Sequence, residues 1–340
     1  MPPTHPPLID RTAALLRQAD HRSLDGLVTA LLADGSSAPA LLDDLLSPAL
    51  RLLGSTAGSD EARAALPRAA PARAQTAAAE RVLARLAPAE PGSRGRLVLA
   101  TFPADPHRLP GRVAAQRLRH EGWHVDETAL AGGRTATGQR TGEDPVAVLV
   151  SVTLSAQLLA CADTIRAIHI AGHRVLVGGR AFGADGAAAR AVGADGWGPD
   201  AVASGAVLEA WAADPAPTAL CRPAALREAR ELERIGHRLA AQIAGEVVGA
   251  AARSRAEARA MAGAVRTTID VVGAATFAGA DVLEGHAGRL GALGYGGDGE
   301  HFCRGVLGAL RRALPAGCTA AAAVVDAALA ARALSPAGPR

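Results

Sequence analysis

The sequence contains no lysine, and all 36 of its basic Lys/Arg positions are arginines. Schiff-base chemistry and a lysine-centred phosphate cradle are excluded with it. Aromatics are nearly as scarce, at 2% of residues, and none interleaves a basic run; with a net charge of only +3 this argues against direct nucleic-acid binding. Four cysteines, Cys161, Cys221, Cys303 and Cys318, lie far apart with no Cys-x-x-Cys pair, so neither a zinc site nor a disulfide framework is indicated. No stretch approaches the roughly 20 apolar residues needed to cross a bilayer. The opening MPPTHPPLID lacks a charged start followed by an apolar run. These absences predict a cytoplasmic protein without a membrane partner.

Alanine, leucine and valine supply most of the apolar content, and the alanine, leucine, arginine and glutamate favour helices. A length of 340 residues suits two or three domains. Between residues 8 and 87, leucines such as Leu15, Leu16, Leu24, Leu27, Leu31, Leu41, Leu42, Leu45 and Leu46 recur at helical spacing. Gly35, Pro48, Gly54 and Pro67 divide them, predicting about four helices in a small bundle over residues 1–90. Pro88 to Gly95 concentrates turn residues and marks a boundary. From Arg96 the texture changes to short apolar runs, RLVLATF, HVDETAL, AVLVSVT and RVLVGGRAF, alternating with helical spacing. That alternation predicts parallel βαβ units in a doubly wound sheet over 94–213. After the linker Asp214–Pro217, residues 223–333 return to helical spacing through Leu226, Leu232, Ile235, Leu239 and Ile243.

Ligands of doubly wound sheets bind beyond the carboxyl ends of the strands. The first such loop reads Pro103-Ala104-Asp105-Pro106-His107-Arg108-Leu109-Pro110-Gly111. The third supplies Ser151-Val152-Thr153, the fourth Gly178-Gly179 with Phe182 close behind, and the fifth Gly196-Trp197-Gly198-Pro199-Asp200.

Asp-x-His, Ser-x-Thr and Gly-Gly, in that order and in those loops, resemble the cobalamin-binding domains of methionine synthase, corrinoid methyl-transfer proteins, mutases and light-responsive cobalamin-dependent repressors. Asp105, His107, Ser151, Thr153, Gly178 and Gly179 match that motif, and VLVGGRAFG, Val175 to Gly183, is similar to the light-responsive branch. The resemblance implies a flavodoxin-like domain in which His107 supplies the lower axial nitrogen to cobalt. Asp105 would fix the tautomer of His107 from behind. Ser151 and Thr153 would bond the buried nucleotide tail, and Gly178 and Gly179 would let backbone approach it. Arg108, Leu109, Gly111, Phe182 and Trp197 would complete the binding loops. The family's glycine three residues after the histidine is Pro110 here, with Gly111 next. The same residues also admit a plainer account, a flavodoxin-like domain with an incidental loop histidine.

The N-terminal bundle resembles the cap that covers the corrin's upper face in this family. The cap tryptophan of the light-responsive branch is missing, and Ala72-Arg73 stand where its Glu-His would be. The whole-chain order resembles the photocobilins, which pair cobalamin with biliverdin in a globin-like C-terminal domain. By that resemblance His301, Cys303 and Arg304 are candidates for a bilin site, with haem through His237, His286 or His301 as an alternative and simple packing as another. The function implied is a non-enzymatic sensor that binds cobalamin, in its adenosyl form, and biliverdin, and signals through the association of protomers in a homo-oligomer. A corrinoid methyl carrier serving a methyltransferase and a helical adaptor with a degenerate site stay open beside it.

Overall fold

The structure, a computed structural model, describes residues 6–56, 69–88, 92–102, 108–129, 145–213, 226–248, 254–279, 282–283, 286 and 299–331. Its N-terminal part comprises helices α1 (Pro6–Gln18), α2 (His21–Ala33), α3 (Ala38–Leu41), α4 (Ser47–Thr56) and α5 (Ala69–Arg85). A π-helical turn, Leu42–Leu46, joins α3 to α4. The leucines read from the sequence as one face do meet: Leu16, Leu24, Leu41, Leu42, Leu45 and Leu46 pack with Val82, Leu83 and Leu86 in one apolar core.

The sheet follows, with β1 (Arg96–Thr101), helix α6 (Arg108–His120), β2 (His124–Ala129), β3 (Ala147–Ser151), α7 (Leu158–Ile170), β4 (Val175–Gly178), α8 (Ala187–Val192), β5 (Gly196–Gly198) and α9 (Ala201–Ala213). All strand pairs are parallel and the order is β2-β1-β3-β4-β5, the flavodoxin-like doubly wound arrangement. The strands are apolar on both faces because both are covered. Leu97, Leu99, Leu149 and Leu176 point to α6 and α9, in a core with Leu118, Trp123 and Leu208. Val98, Val148, Val150, Val175 and Val177 point to α7 and α8.

One strand departs from the sequence expectation. Gly196-Trp197-Gly198 is β5 itself rather than the loop after it. No apolar run announces it, because glycine is needed where α9 comes close: a Cβ on Gly196 would lie 2.8 Å from the Trp211 ring, and one on Gly198 2.0 Å from Ser204 Oγ.

Helices α10 (Arg227–Val247), α11 (Arg255–Ala278), α12 (Gly299–Ala313) and α13 (Thr319–Ala330) form the C-terminal part. Ser254 starts α11 by accepting the Glu257 amide at 3.1 Å, with Glu at the third helical position as in a capping box. The core of these helices joins Leu232, Ile235, Leu239 and Ile243 to Ile269, Val272, Val306 and Leu310. Leu226, Ala229, Ala274 and Ala278 extend it into the α7/α8 side of the sheet, and Arg230 pairs with Asp163 of α7 at 2.5 Å. The protein is thus layered: N-terminal helices, α6 and α9, sheet, α7 and α8, C-terminal helices. Among the described residues no helix is long and apolar enough to cross a membrane.

Glu228 of α10 caps a different helix. Its carboxylate accepts the Ala320 and Ala321 amides at 3.0 and 2.9 Å at the start of α13. Burial pushes this carboxyl up, but those amides and the Thr319 hydroxyl outweigh it and hold Glu228 below its ordinary value. A lowered folded-state value means that the contribution is complete above the ordinary glutamate range and is lost as pH falls through the lowered value. Glu228→Ala is expected to cost about 1 kcal/mol at neutral pH, as loss of an N-cap does. Urea denaturation should show that gap closing in acid; a gap that persists there would remove the carboxylate from the account.

Candidate functional site

The last residue of every strand is small. Ala129, Thr101, Ser151, Gly178 and Gly198 lie in register, each paired with the next, in one row across the carboxyl edge of the sheet. One level below stand Leu99, Leu149 and Leu176, all turned toward α6 and α9, and the side-chain period of two turns the row the same way. The edge therefore ends in a shallow floor of hydroxyls and bare backbone above a leucine core.

Glycines bring the neighbouring segments down onto that floor. A Cβ on Gly111, in the first turn of α6, would stand 3.2 Å from both Cβ and Oγ of Ser151, so this glycine sets how close α6 begins to β3. Gly179, at φ +106°, would place a Cβ 2.3 Å from the Val152 carbonyl oxygen. The loops after β3 and β4 are in direct backbone contact there: the Val152 amide donates to Gly178 O at 2.9 Å, and the Ala181 amide donates to Val152 O at 3.3 Å. The glycine pair thus has work within the fold before any ligand is considered.

Asp105 and His107 lie outside the described residues, but Arg108, the residue after His107, opens α6 beside this floor. Arg108 is exposed, and Leu109 leans into the core of the N-terminal helices. Gly111, Ser151, Gly178 and Gly179 come together as described, and Thr153, 7% exposed, follows two residues after Ser151. Phe182 does not join them: its ring is fully buried with Val150 and Val177, so it is core rather than a wall of the edge. Trp197 is also on that side, its ring filling the space a Cβ on Gly186 would take. Its Nε1 is buried without a hydrogen-bond partner among the described residues, and so is Oε1 of Gln157, just past the β3 loop.

Helix α5 extends past this edge. Contacts from α5 and the residue after it climb in step with α6: Glu80 with Arg112 at 2.5 Å, Leu83 O with Gln116 Nε2 at 3.3 Å, Leu86 O with His120 Nε2 at 2.5 Å. The two helices therefore run side by side in the same direction. With a rise of about 1.5 Å per residue, the start of α5 extends roughly 10 Å past the start of α6, on the side of the strands' carboxyl ends. Sequence showed the bundle but held no signal for this overhang, which depends on the register between two helices.

The C-terminal candidates are scattered. Cys303 is fully buried in the helical core, whereas His301 is exposed. Arg304 donates from Nη1 and Nη2 to the Ala331 and Leu329 carbonyls at 3.0 and 2.9 Å, closing the end of α13. Residues two apart on a helix do not face each other, so His301 and Cys303 cannot line one slot. Of the alternative haem histidines, His286 is buried and its Nε2 lies 3.0 Å from Thr268 Oγ1, which itself donates to Ala264 O; His237 is exposed.

His169, in the last turn of α7, is buried, with Nε2 2.8 Å from Asp195 Oδ2. Asp195 also accepts the Val175 amide at 2.7 Å, so the pair pins α7 to the entry of β4, away from the carboxyl edge. Cys161 is packing, as its apolar helical face suggests, and burial pushes its thiol well above the ordinary range.

No protein-family profile matches the sequence, and no curated protein matches it significantly. Among solved structures the chain is similar to a novel cobalamin-binding protein from Desulfitobacterium hafniense DCB-2, at 16% identity and TM-score 0.34, over 60% of this chain and 98% of that one. It is also similar to the monomethylamine corrinoid protein of Methanosarcina barkeri, at 18% identity and TM-score 0.47, again over 60% of this chain and 98% of that one. Strand order and register by themselves define the fold.

Proposed function

We infer that the chain is a cobalamin-binding sensor, in which residues 94–213 hold the corrin at the carboxyl edge of the sheet and residues 1–90 cap it. The observation that supports this best is the row of small residues, Thr101, Ser151, Gly178 and Gly198, in register at the strand ends, with Gly111 of α6 set close against Ser151. A broad planar ligand needs such a floor, free of bulky side chains, and a nucleotide tail needs hydroxyls and open backbone. The residues present fit the group: His107 would bind cobalt, Asp105 would orient the imidazole, and Ser151 and Thr153 would offer hydroxyls to the tail. The overhang of α5 supports a cap over the opposite face of the corrin.

Bound cobalamin would supply a light-sensitive cobalt–carbon bond, and adenosylcobalamin is the form we propose. The chain's own part is to exclude water with the cap helices and to convert a change in the size of the upper ligand into a change of packing between cap and sheet, and so of protomer association. A methyl carrier would use the same floor and the same histidine. Biliverdin binding by residues 223–333 belongs to the same resemblance, but the buried Cys303 and the engaged Arg304 give it no common slot, and the proposal rests on cobalamin alone.

The test is to titrate the purified chain with adenosylcobalamin and to record absorbance and sedimentation before and after illumination. A saturable spectrum with histidine in place of benzimidazole, and a light-dependent change in association, are expected. Binding with reversible methylation by a partner enzyme and no change in association would favour the carrier. No saturable binding would overturn both.

A further inference from the structure

The N-terminal helices are tied to the sheet by an ionic cluster at the far end of α6 from the candidate site. Arg117 of α6 donates through Nε to Asp43 of the π-helical turn at 2.7 Å and through Nη1 to Glu121 Oε1 at 2.8 Å. Arg94, on the approach to β1, pairs with Glu209 of α9 at 2.8 Å and lies over the Trp123 ring at 5.6 Å from its centroid. The second oxygen of Glu121 is buried without a hydrogen-bond partner among the described residues. It rests against α9 where only glycine leaves room, since a Cβ on Gly205 would lie 2.4 Å from it.

The charges in this cluster do not balance. Three carboxylates, Asp43, Glu121 and Glu209, face two guanidinium groups, Arg94 and Arg117. Arg94 is engaged by Glu209, so Asp43 and Glu121 compete for Arg117, and Asp43 is the member that belongs to the N-terminal helices. Neutralising Glu121 leaves two matched pairs and gives Arg117 wholly to Asp43. The excess charge also falls on the carboxylate least able to bear it, the one with an oxygen that receives no donor.

We propose that Glu121 is a proton-operated latch: its neutral form fastens the N-terminal helices to the sheet through Arg117 and Asp43, and its ionised form loosens them. Burial pushes the Glu121 carboxyl above its ordinary value; Glu209 and Asp43 push the same way, and Arg117 and Arg94 pull it back. For a carboxyl raised on folding, stability from this group is gained as pH falls through the window between the ordinary and the raised value, and lost as pH rises through it. His120, the neighbouring residue, faces the Leu86 carbonyl and not the carboxylates of the cluster.

The experiment uses the full chain without ligand. Hydrogen exchange in residues 38–50, corrected for its intrinsic pH dependence, is followed from about pH 8 to about pH 5. Protection in the wild type is expected to rise several-fold on acidification. Glu121→Gln should show the higher protection throughout, with little pH dependence. Asp43→Asn should show low protection that pH does not change, and His120→Gln should keep the wild-type profile. The latch is overturned if Glu121→Gln titrates like the wild type, if it lowers protection at the alkaline end, or if His120→Gln abolishes the pH dependence.

Discussion

His107→Ala is expected to weaken cobalamin binding more than any other single change in the loops. Under the proposed function this imidazole would hold the cobalt, and its loss would leave the metal without a ligand from the protein. Changing a residue that only orients a metal-binding histidine typically costs about 10- to 100-fold in affinity. Asp105→Asn should fall in that range, and His107→Ala should exceed it. An absorbance titration separates the two effects, because His107→Ala should also remove the spectrum of histidine-coordinated cobalamin while Asp105→Asn retains it. Equal affinity and an unchanged spectrum for His107→Ala would withdraw this residue as the ligand.

Gly179→Ala is expected to have the largest effect on stability. At φ +106° and ψ 162° the backbone occupies a region open essentially to glycine alone. The added methyl would also meet the Val152 carbonyl oxygen at 2.3 Å and its carbon at 2.9 Å, which are backbone atoms with no rotamer to change. Strain and overpacking together should cost about 3 kcal/mol. Gly172→Ala is the matched control: it too has positive φ, +85°, but nothing lies within 4 Å of its added methyl. Its cost should be about 1 kcal/mol, from backbone conformation alone. Urea denaturation of the two variants measures the difference; equal losses would mean that the contact between the β3 and β4 loops is not rigid. Gly179→Ala also tests the floor indirectly, because a separation of these loops would displace Ser151 and Thr153 together.

Four of the five strands, the doubly wound sheet and the helical segments on either side of it were legible in the sequence. Runs such as LVLA and AVLV are apolar at every position, and only a strand covered on both faces requires that. Ser151, Gly178 and Gly179 stood out through the resemblance of their loops to the cobalamin-binding motif, and the glycines also serve the contact between the β3 and β4 loops. The sequence pattern missed β5, whose glycines answer to α9 rather than to a strand period, and it placed Phe182 in a binding loop when burial makes it core. Cys303, His301 and Arg304 looked adjacent along the chain, yet the helix turns them toward the core, the solvent and the end of α13. Register between elements distant in sequence came from the packed fold. The pairing of Thr101 with Ser151 and of Ser151 with Gly178 turns isolated motifs into one floor. The step of Glu80, Leu83 and Leu86 along Arg112, Gln116 and His120 sets the overhang of α5. The competition of Asp43 and Glu121 for Arg117 arises from the same docking. Local periodicity records which face of an element is buried, but it carries no information about which residue of another element lies opposite, and that is fixed by packing the whole chain at once.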